Sequence, residues 1–520
     1  MKKKITYYAN GKRSERQISY IPCRYILSLI LAFLETAAVI AVVAVLCIFV
    51  PYFYIAVMLT QIGVVIQIIS SDDDPDHKIP WLLFVLILPV VGFMLYFLFA
   101  KRKLDKKYVK RLNSLQSMDY PHSNEANFAA LKEEAPQACS QAKILCDIAK
   151  THLFTNTEQR YFPDGEDYFS ALADDLQSAE KFIFMEYFII EEGKFWNTLL
   201  DILKEKAAQG VEVRVVYDDI GCMMTLAGDY AKTLKKLGIK ATTFSRLRGN
   251  ADSEFNNRSH RKITVIDGKI AYTGGINIAD EYINAVQKFG RWKDVGIRLE
   301  GQAVNELTKL FLTDYGINVK ACEPAEGEYF SAAVGSADGY VIPFGDGPKP
   351  IYDRRVGKTV ILNMLNGATD YAYITTPYLI IDNELCSAIE NAALRGVKVK
   401  IITPHIPDKK LVFAMTRSYY RRLMEAGAEV YEYEPGFIHA KSYLADGKVG
   451  MIGTVNLDYR SLVHHFENGV WLYGCDCLKE LKADMDATLD KCIRIAPSML
   501  KHNFLYRFFC SLIRIFAPLL

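Results

Sequence analysis

The chain has 520 residues, 51% hydrophobic and 23% charged, which is long enough for two or three domains and excludes a disordered or fibrous protein. A mean hydropathy of +0.06 is high for a soluble enzyme and points to a segregated membrane part. Lys+Arg (62) and Asp+Glu (60) nearly cancel to a formal +2, so the charge lends no support to a protein that holds nucleic acid by neutralising phosphate, and no nucleic-acid partner is expected.

Three apolar stretches open the chain: Tyr25 to Val50, Tyr52 to Ile69 and Pro80 to Ala100. Each is near the roughly 20 residues that cross a bilayer as helix. The first is too long for a signal peptide and lacks a small-residue cleavage site, so it reads as an anchor, with Pro51 as the break before the second. Glu35 inside the first stretch would cost about 2 to 3 kcal/mol if charged at mid-bilayer and is expected to face another helix or be protonated. Seven Lys/Arg precede the first stretch and seven more lie between residues 101 and 111, so both flanks want the cytoplasm. That preference asks for an even number of crossings, whereas three stretches are present. Two true crossings are preferred, by the first and third stretches, with residues 52–69 re-entrant or interfacial and the acidic Ser70–His77 segment outside; three crossings would put the catalytic part outside against its charge bias. Residues 1–111 are read as the membrane anchor.

From about residue 135 to 500, short β-branched runs alternate with amphipathic helical stretches, an α/β layout. The strand Lys181–Ile190, the helix Phe195–Gln209 and the strand Gly210–Asp218 are repeated in order by Ala372–Ile381, Glu384–Arg395 and Gly396–Pro404. The repeat is sharpest where His260-Arg-Lys-Ile-Thr-Val-Ile-Asp-Gly-Lys269 matches His439-Ala-Lys-Ser-Tyr-Leu-Ala-Asp-Gly-Lys448. At the same offset Gly274 matches Gly453 and Asn277 matches Asn456, so two lobes of one ancestral unit, 135–325 and 340–500, are expected. The tail, 501–520, sets Arg507 and Arg514 among dense Phe and Leu and suits a helix lying in the membrane interface. Eleven cysteines, an odd count without a C-x-x-C pair, read as reduced packing thiols, Cys475 and Cys477 among them; no disulfide framework or zinc site is expected.

Residues i and i+2 of a strand share a face, so His260 sits with Lys262 and His439 with Lys441. Asp267 and Asp446 have the wrong parity for that face and precede Gly, so spacing alone makes them hairpin-turn residues. If the lobes pack about a pseudo-two-fold, two His and two Lys converge on one pocket, with Asn277 and Asn456 able to donate further hydrogen bonds to a tetrahedral anion. One imidazole would attack phosphorus, the opposing imidazolium would protonate the leaving alkoxide, and the lysines would stabilise the developing charge. No metal or other cofactor is required.

These motifs resemble the phospholipase D superfamily, whose signature is H-x-K-x4-D followed by a Gly and an Asn, and more narrowly the bacterial cardiolipin synthases. The resemblance extends through Tyr217-Asp-Asp-Ile-Gly221, Asn257-Arg-Ser-His-Arg-Lys262, Gly274-Gly-Ile-Asn-Ile-Ala-Asp-Glu-Tyr282, Thr376-Pro-Tyr378 and Tyr433-Glu-Pro-Gly-Phe-Ile-His-Ala-Lys441. It implies two pseudo-two-fold-related lobes, each a mixed sheet flanked by helices, preceded by transmembrane helices, of which the family usually has two. It implies catalytic roles for His260, Lys262, Asp267, His439, Lys441 and Asp446, with His260 the nucleophile and His439 the acid/base by family precedent. An acid downstream of each motif would orient the histidine of the opposite lobe, Asp294 and Glu467 being the candidates. Arg258 is read as a phosphate or headgroup contact or as a surface residue. The implied reaction is phosphatidyl transfer between two phosphatidylglycerol molecules, giving cardiolipin and glycerol, in a multi-pass protein of the bacterial cell membrane with cytoplasmic lobes. The alternative is a hydrolase of the same fold acting on membrane phospholipid.

Overall fold

The computed structural model describes residues 51–97, 106–120, 122–246, 256–319, 328–332, 335, 337–500 and 504–519, with strands Lys2–Ala9 and Lys12–Ser19 and scattered residues between 30 and 48. Glu35, most of the first apolar stretch and Lys101-Arg102-Lys103 lie outside the described residues. β1 (Lys2–Ala9) and β2 (Lys12–Ser19) pair antiparallel on either side of Asn10-Gly11, the dipeptide that two-residue hairpins favour.

The first lobe carries β3 (Thr157–Phe162), β4 (Phe182–Tyr187), β5 (Glu212–Asp218), β6 (Lys240–Phe244), β7 (Lys262–Ile266), β8 (Ile270–Gly274), β9 (Arg291–Lys293) and β10 (Gly296–Gly301). Seven of them form a sheet in the order β3-β10-β8-β7-β4-β5-β6. β4, β5 and β6 run parallel and the others antiparallel, so the sheet is mixed. β4 is Phe-Ile-Phe-Met-Glu-Tyr with every residue buried, as a central strand covered on both faces requires.

The second lobe repeats this with β11 (Tyr340–Asp346), β12 (Tyr371–Thr375), β13 (Leu379–Ile380), β14 (Lys398–Pro404), β15 (Glu429–Tyr433), β16 (Gly436–Ile438), β17 (Ser442–Ala445), β18 (Val449–Gly453), β19 (Leu457–Asp458), β20 (Glu467–Tyr473) and β21 (Cys492–Arg494). Its sheet order, β11-β20-β18-β17-β12-β14-β15-β21, matches the first lobe position for position, with β21 as an added edge. The helix Val304–Asn318 is buried on all sides from Val304 to Gly316, including Glu306, Lys309 and Asp314. Lys309 pairs with Glu306 at 2.9 Å and Asp314 with Arg261 at 2.6 Å, so its charges are neutralised in place.

The apolar stretches are arranged differently from expectation. The helix Pro51–Ser70, the stretch expected to dip back, is the one helix among the described residues long and apolar enough to cross a bilayer. The third stretch, expected to cross, is broken into helices Pro75–Ile87 and Pro89–Leu95, with Leu88 at φ −125° and ψ 75° between them. Pro89 is the cause: it lacks an N–H, its ring obstructs the preceding turn, and it pushes the residue before it out of the helical region. Both ends of this broken stretch are tied to the lobes. At its start Asp74 pairs with Arg355 at 2.5 Å, and Asp76 accepts from the Tyr459 hydroxyl at 3.0 Å and the Asn383 N–H at 3.3 Å. Beyond its end the helix Lys106–Gln116 docks on the first lobe, where Arg111 donates to the carbonyls of Gly316 at 2.8 Å and Val319 at 3.1 Å. The acidic segment expected outside therefore lies against the lobes.

The C-terminal helix Phe504–Phe516 packs by one side, Arg514 lying 4.0 Å over the Tyr419 ring and Phe516 meeting Phe84 at 5.4 Å. Its other side exposes Phe504, Leu505, Phe508, Phe509 and Leu512.

Candidate active site

Each histidine is positioned by backbone pairing with the other lobe. The His260 N–H donates to the Phe466 carbonyl at 2.8 Å, and Phe466 N–H to the Arg258 carbonyl at 2.8 Å; the next residue on that strand is Glu467. Reciprocally, β16 pairs with β9 and the His439 N–H donates to the Lys293 carbonyl at 2.7 Å, directly before Asp294. The crossed pairing brings His260 Nδ1 within 2.9 Å of Glu467 Oε2 and His439 Nδ1 within 2.7 Å of Asp294 Oδ2. Both carboxylates are fully buried, and the histidines are 6% and 7% exposed, so only a sliver of each ring remains open to a substrate.

The lysines sit on the histidine side of their strands. Lys262 Nζ donates to the His260 carbonyl at 2.6 Å. Lys441 Nζ reaches the His439 carbonyl and lies 2.7 Å from His439 Nδ1. Burial lowers Lys262 to about 7, with Lys441 adding to the effect and Glu467 opposing it. Burial likewise lowers Lys441 to about 8 against the pull of Asp294 and Glu467. His260 is pushed down to about 3 by burial, which outweighs Glu467, and His439 is held well below its ordinary value by burial and the lysines around it. Burial raises Asp294 to about 6. Glu467 is held far below the usual carboxylate range because, although burial raises it, His260 and His465 pull it down further. Aromatic rings wall both histidines, Phe188 at 5.2 Å from His260 and Tyr282 at 5.4 Å from His439, which keeps water scarce.

The structure brings together His260, Lys262, His439, Lys441, Asp294 and Glu467, but not Asp267 and Asp446. Asp267 caps the start of β4, accepting from the N–H groups of Glu180, Lys181 and Phe182 at 2.8 Å each. Asp446 does the same for Thr369, Asp370 and Tyr371. Both are at positive φ with the following glycines, as a type I′ hairpin turn requires, so any part in catalysis for either carboxylate is corrected to a structural one. Asn277 is spent on the protein, donating to the Tyr282 hydroxyl and accepting from Ile189 N–H. Asn456 donates to Asp458 at 3.2 Å while its Oδ1 stays buried without a hydrogen bond.

Arg258, read as a headgroup contact or a surface residue, is 4% exposed and donates to the Ser245 carbonyl at 2.6 Å beside Asp218. Asp218 takes N–H groups from Ile220, Gly221 and Ser259 and so braces the loop that carries His260. Sequence reasoning also passed over Arg261, whose parity puts it opposite the histidine face. It donates to the Glu467 carbonyl at 3.0 Å and to Asp314, locking the acid to the central helix.

Among the described residues, His260, His465 and Glu467 offer ligand atoms within 4.8 Å of one another, the one trio that could hold a metal ion. Two of the three already form a histidine–carboxylate pair, and Lys262 and Lys441 supply positive charge without an ion. Activity should therefore stay within about twofold in excess EDTA; complete loss with rescue by a divalent ion would contradict this. Because the lysines must be charged to bind an anion, kcat/KM, which reports the free enzyme, should fall as pH rises through about 7 to 8. Lys262→Arg, which does not titrate in this range, should remove the part of the fall near 7 and leave the limb near 8.

The family model described as cardiolipin synthase, PLD-like domain, matches residues 172–307 and 361–489, and a model described as phospholipase D-nuclease N-terminal matches 61–101. A cardiolipin synthase of Oceanobacillus iheyensis is 34% identical over 479 residues, covering 88% of this chain and 97% of that protein. A protein of Streptococcus mutans described only as uncharacterised is 42% identical over 466 residues, covering 88% of this chain and all of its own length. In fold, the chain is similar to the crystal structure of a phosphatidylserine synthase from Haemophilus influenzae, with a TM-score of 0.56 at 15% identity, covering 73% of this chain and 97% of that one.

Proposed function

This chain belongs to the cardiolipin synthase family of phospholipase D-like proteins, and we propose that it transfers a phosphatidyl group between two phosphatidylglycerol molecules. The observation that carries this is the pair of crossed histidine–carboxylate contacts, each built from both lobes and flanked by a buried lysine. His260 is the nucleophile. Its ionised partner Glu467 accepts the Nδ1 proton, which leaves the Nε2 lone pair for phosphorus. His439, neutral in the empty site, takes up a proton as the phosphodiester anion binds and offsets the lysines around it; the P–O bond to glycerol then breaks as the N–P bond forms, and the departing oxygen takes that proton from His439, whose cationic form Asp294 supports. The hydroxyl of the second phosphatidylglycerol then attacks the phosphohistidine, its proton returns to His439, and cardiolipin leaves. One phosphodiester replaces another, so no nucleotide is consumed.

Membrane association follows from the helix Pro51–Ser70 and the N-terminal match. The lobes are cytoplasmic in this reading: the basic flanks favour that side, and the ties at Asp74, Asp76 and Arg111 support a third stretch that enters and leaves on the lobe side. A cysteine introduced at exposed Lys236 should resist a membrane-impermeant thiol reagent in intact cells and react once they are opened; ready labelling from outside would reverse the assignment.

The reaction is tested by the products formed from phosphatidylglycerol vesicles by the purified protein. Cardiolipin with glycerol in equal amounts is expected, and phosphatidic acid with glycerol and no cardiolipin would make the protein a hydrolase.

A further inference from the structure

Between the N-terminal helices and the second lobe lies a cavity of about 800 Å³, which the catalytic histidines do not line. That is within the range of small-ligand sites. Its floor comes from the second lobe with Asn256 and Asn257, and its roof from the end of the helix Pro51–Ser70, the acidic turn after it and the helix that follows. Trp81 and Tyr96 line it on the roof side, the amphipathic ring types that mark a membrane–water boundary. In the same segment Leu86, Ile87, Leu88 and Phe97 are exposed.

The lobe side of this cavity carries four cations with Asp353 and Glu384, and the roof side carries Asp72, Asp73 and Asp74 with Lys78, so positive charge is in excess on one edge and negative charge on the other. Of the four cations on the lobe side, Arg355 is neutralised by Asp74 at 2.5 Å and Lys358 by Asp382 at 2.5 Å. Lys349 and Arg354 are exposed and form no ion pair among the described residues. Across from them the acidic turn contributes Asp72 and Asp73. A ligand that satisfies both edges carries an anion at one end and hydrogen-bond donors at the other. A phospholipid headgroup has that form: a phosphodiester followed by glycerol hydroxyls or an ammonium, with acyl chains that can remain in the leaflet. The cavity also borders the reaction centre. It is lined by Asn257, which opens the loop carrying His260, and by His464, whose neighbour His465 has its ring 5.6 Å from that of His260.

We propose that this cavity is a headgroup site for a phospholipid of the adjoining leaflet, with Lys349 and Arg354 on its phosphodiester and Asp72 and Asp73 on the hydroxyl or ammonium beyond it. It holds the lipid that will accept the phosphatidyl group, a role that rests on the transfer reading above; the binding itself does not.

Binding is measured without chemistry by titrating dihexanoyl phosphatidylglycerol into full-length His260→Ala protein. Adding Lys349→Glu and Arg354→Glu should weaken binding by about tenfold or more, whereas Lys349→Arg with Arg354→Lys should keep it within about threefold, which separates lost charge from lost fold. Affinity unchanged by charge reversal overturns the site, whether or not the wild-type protein makes cardiolipin. In the active protein the charge reversal should raise KM for phosphatidylglycerol in phosphatidylcholine micelles with kcat within about twofold, and a loss confined to kcat overturns the proposal. Asp72→Asn with Asp73→Asn identifies the far end. Weaker binding of phosphatidylethanolamine alone assigns an ammonium, weaker binding of phosphatidylglycerol assigns hydroxyls, and no change with either removes the acidic edge from the site.

Discussion

Replacing His260 or His439 by alanine should lower cardiolipin formation by about three orders of magnitude or more, a loss of roughly 4 kcal/mol of transition-state stabilisation. Covalent transfer needs a nucleophile and a proton donor, and no other buried imidazole is paired to a carboxylate across the lobes among the described residues. The two variants should differ in how they fail. With a phosphodiester whose leaving group is nitrophenolate, which departs without a proton, His439→Ala should still release nitrophenolate in a burst and leave the esterified phosphoryl group on His260. His260→Ala should give no burst with any leaving group. A single variant that kept activity within about tenfold of wild type, roughly 1.4 kcal/mol, would end the two-histidine mechanism.

The two-lobed fold was legible because its signal is local and duplicated. Strand parity put His260 with Lys262 and His439 with Lys441, and Asp-Gly after each strand gave the turn that the positive φ angles of Asp267 and Asp446 realise. Family resemblance, by contrast, drew those aspartates into the catalytic set, although their carboxylates cap backbone N–H groups at the far end of the strand. Parity could not reveal Arg261, because its partners Asp314 and Glu467 come from a helix and a strand remote in sequence. The helix Val304–Asn318 hides for a related reason. Buried on all sides, it shows no amphipathic stripe, and Glu306, Lys309 and Asp314 give no sign in the sequence of its burial.

At the membrane end, counting apolar residues ignores both backbone breaks and tethers. Pro80 to Ala100 has the length of a span, but one proline in its middle ends the helix, and Asp74 and Asp76 hold its entrance on the lobe. The helix Pro51–Ser70, by contrast, is unbroken and is the one described helix long and apolar enough to cross a membrane. The same tethers hold the acidic turn over the cavity that Asn257, on the loop carrying His260, also lines.

Removing the charge of one acid at a time should separate the two halves of the reaction. Glu467→Gln keeps the size of the side chain but loses the anion that stabilises the phosphorylated, cationic ring of His260, and its amide can present N–H where an acceptor is needed. Transfer should fall by about two to four orders of magnitude, with little phosphohistidine trapped by denaturant. Asp294→Asn weakens instead the proton supply at His439, so its defect should appear with glycerol as the leaving group and shrink with nitrophenol. The starting pKa values sharpen the contrast. Asp294 is raised to about 6 by burial, so its protonated fraction already grows as pH falls through that value, whereas Glu467 stays ionised. Wild-type activity that needs ionised Asp294 should therefore decline as pH drops through about 6, and the Asn variant should lose that limb. Equal defects in the two variants on both substrates would mean that the histidines do not divide attack and protonation between them.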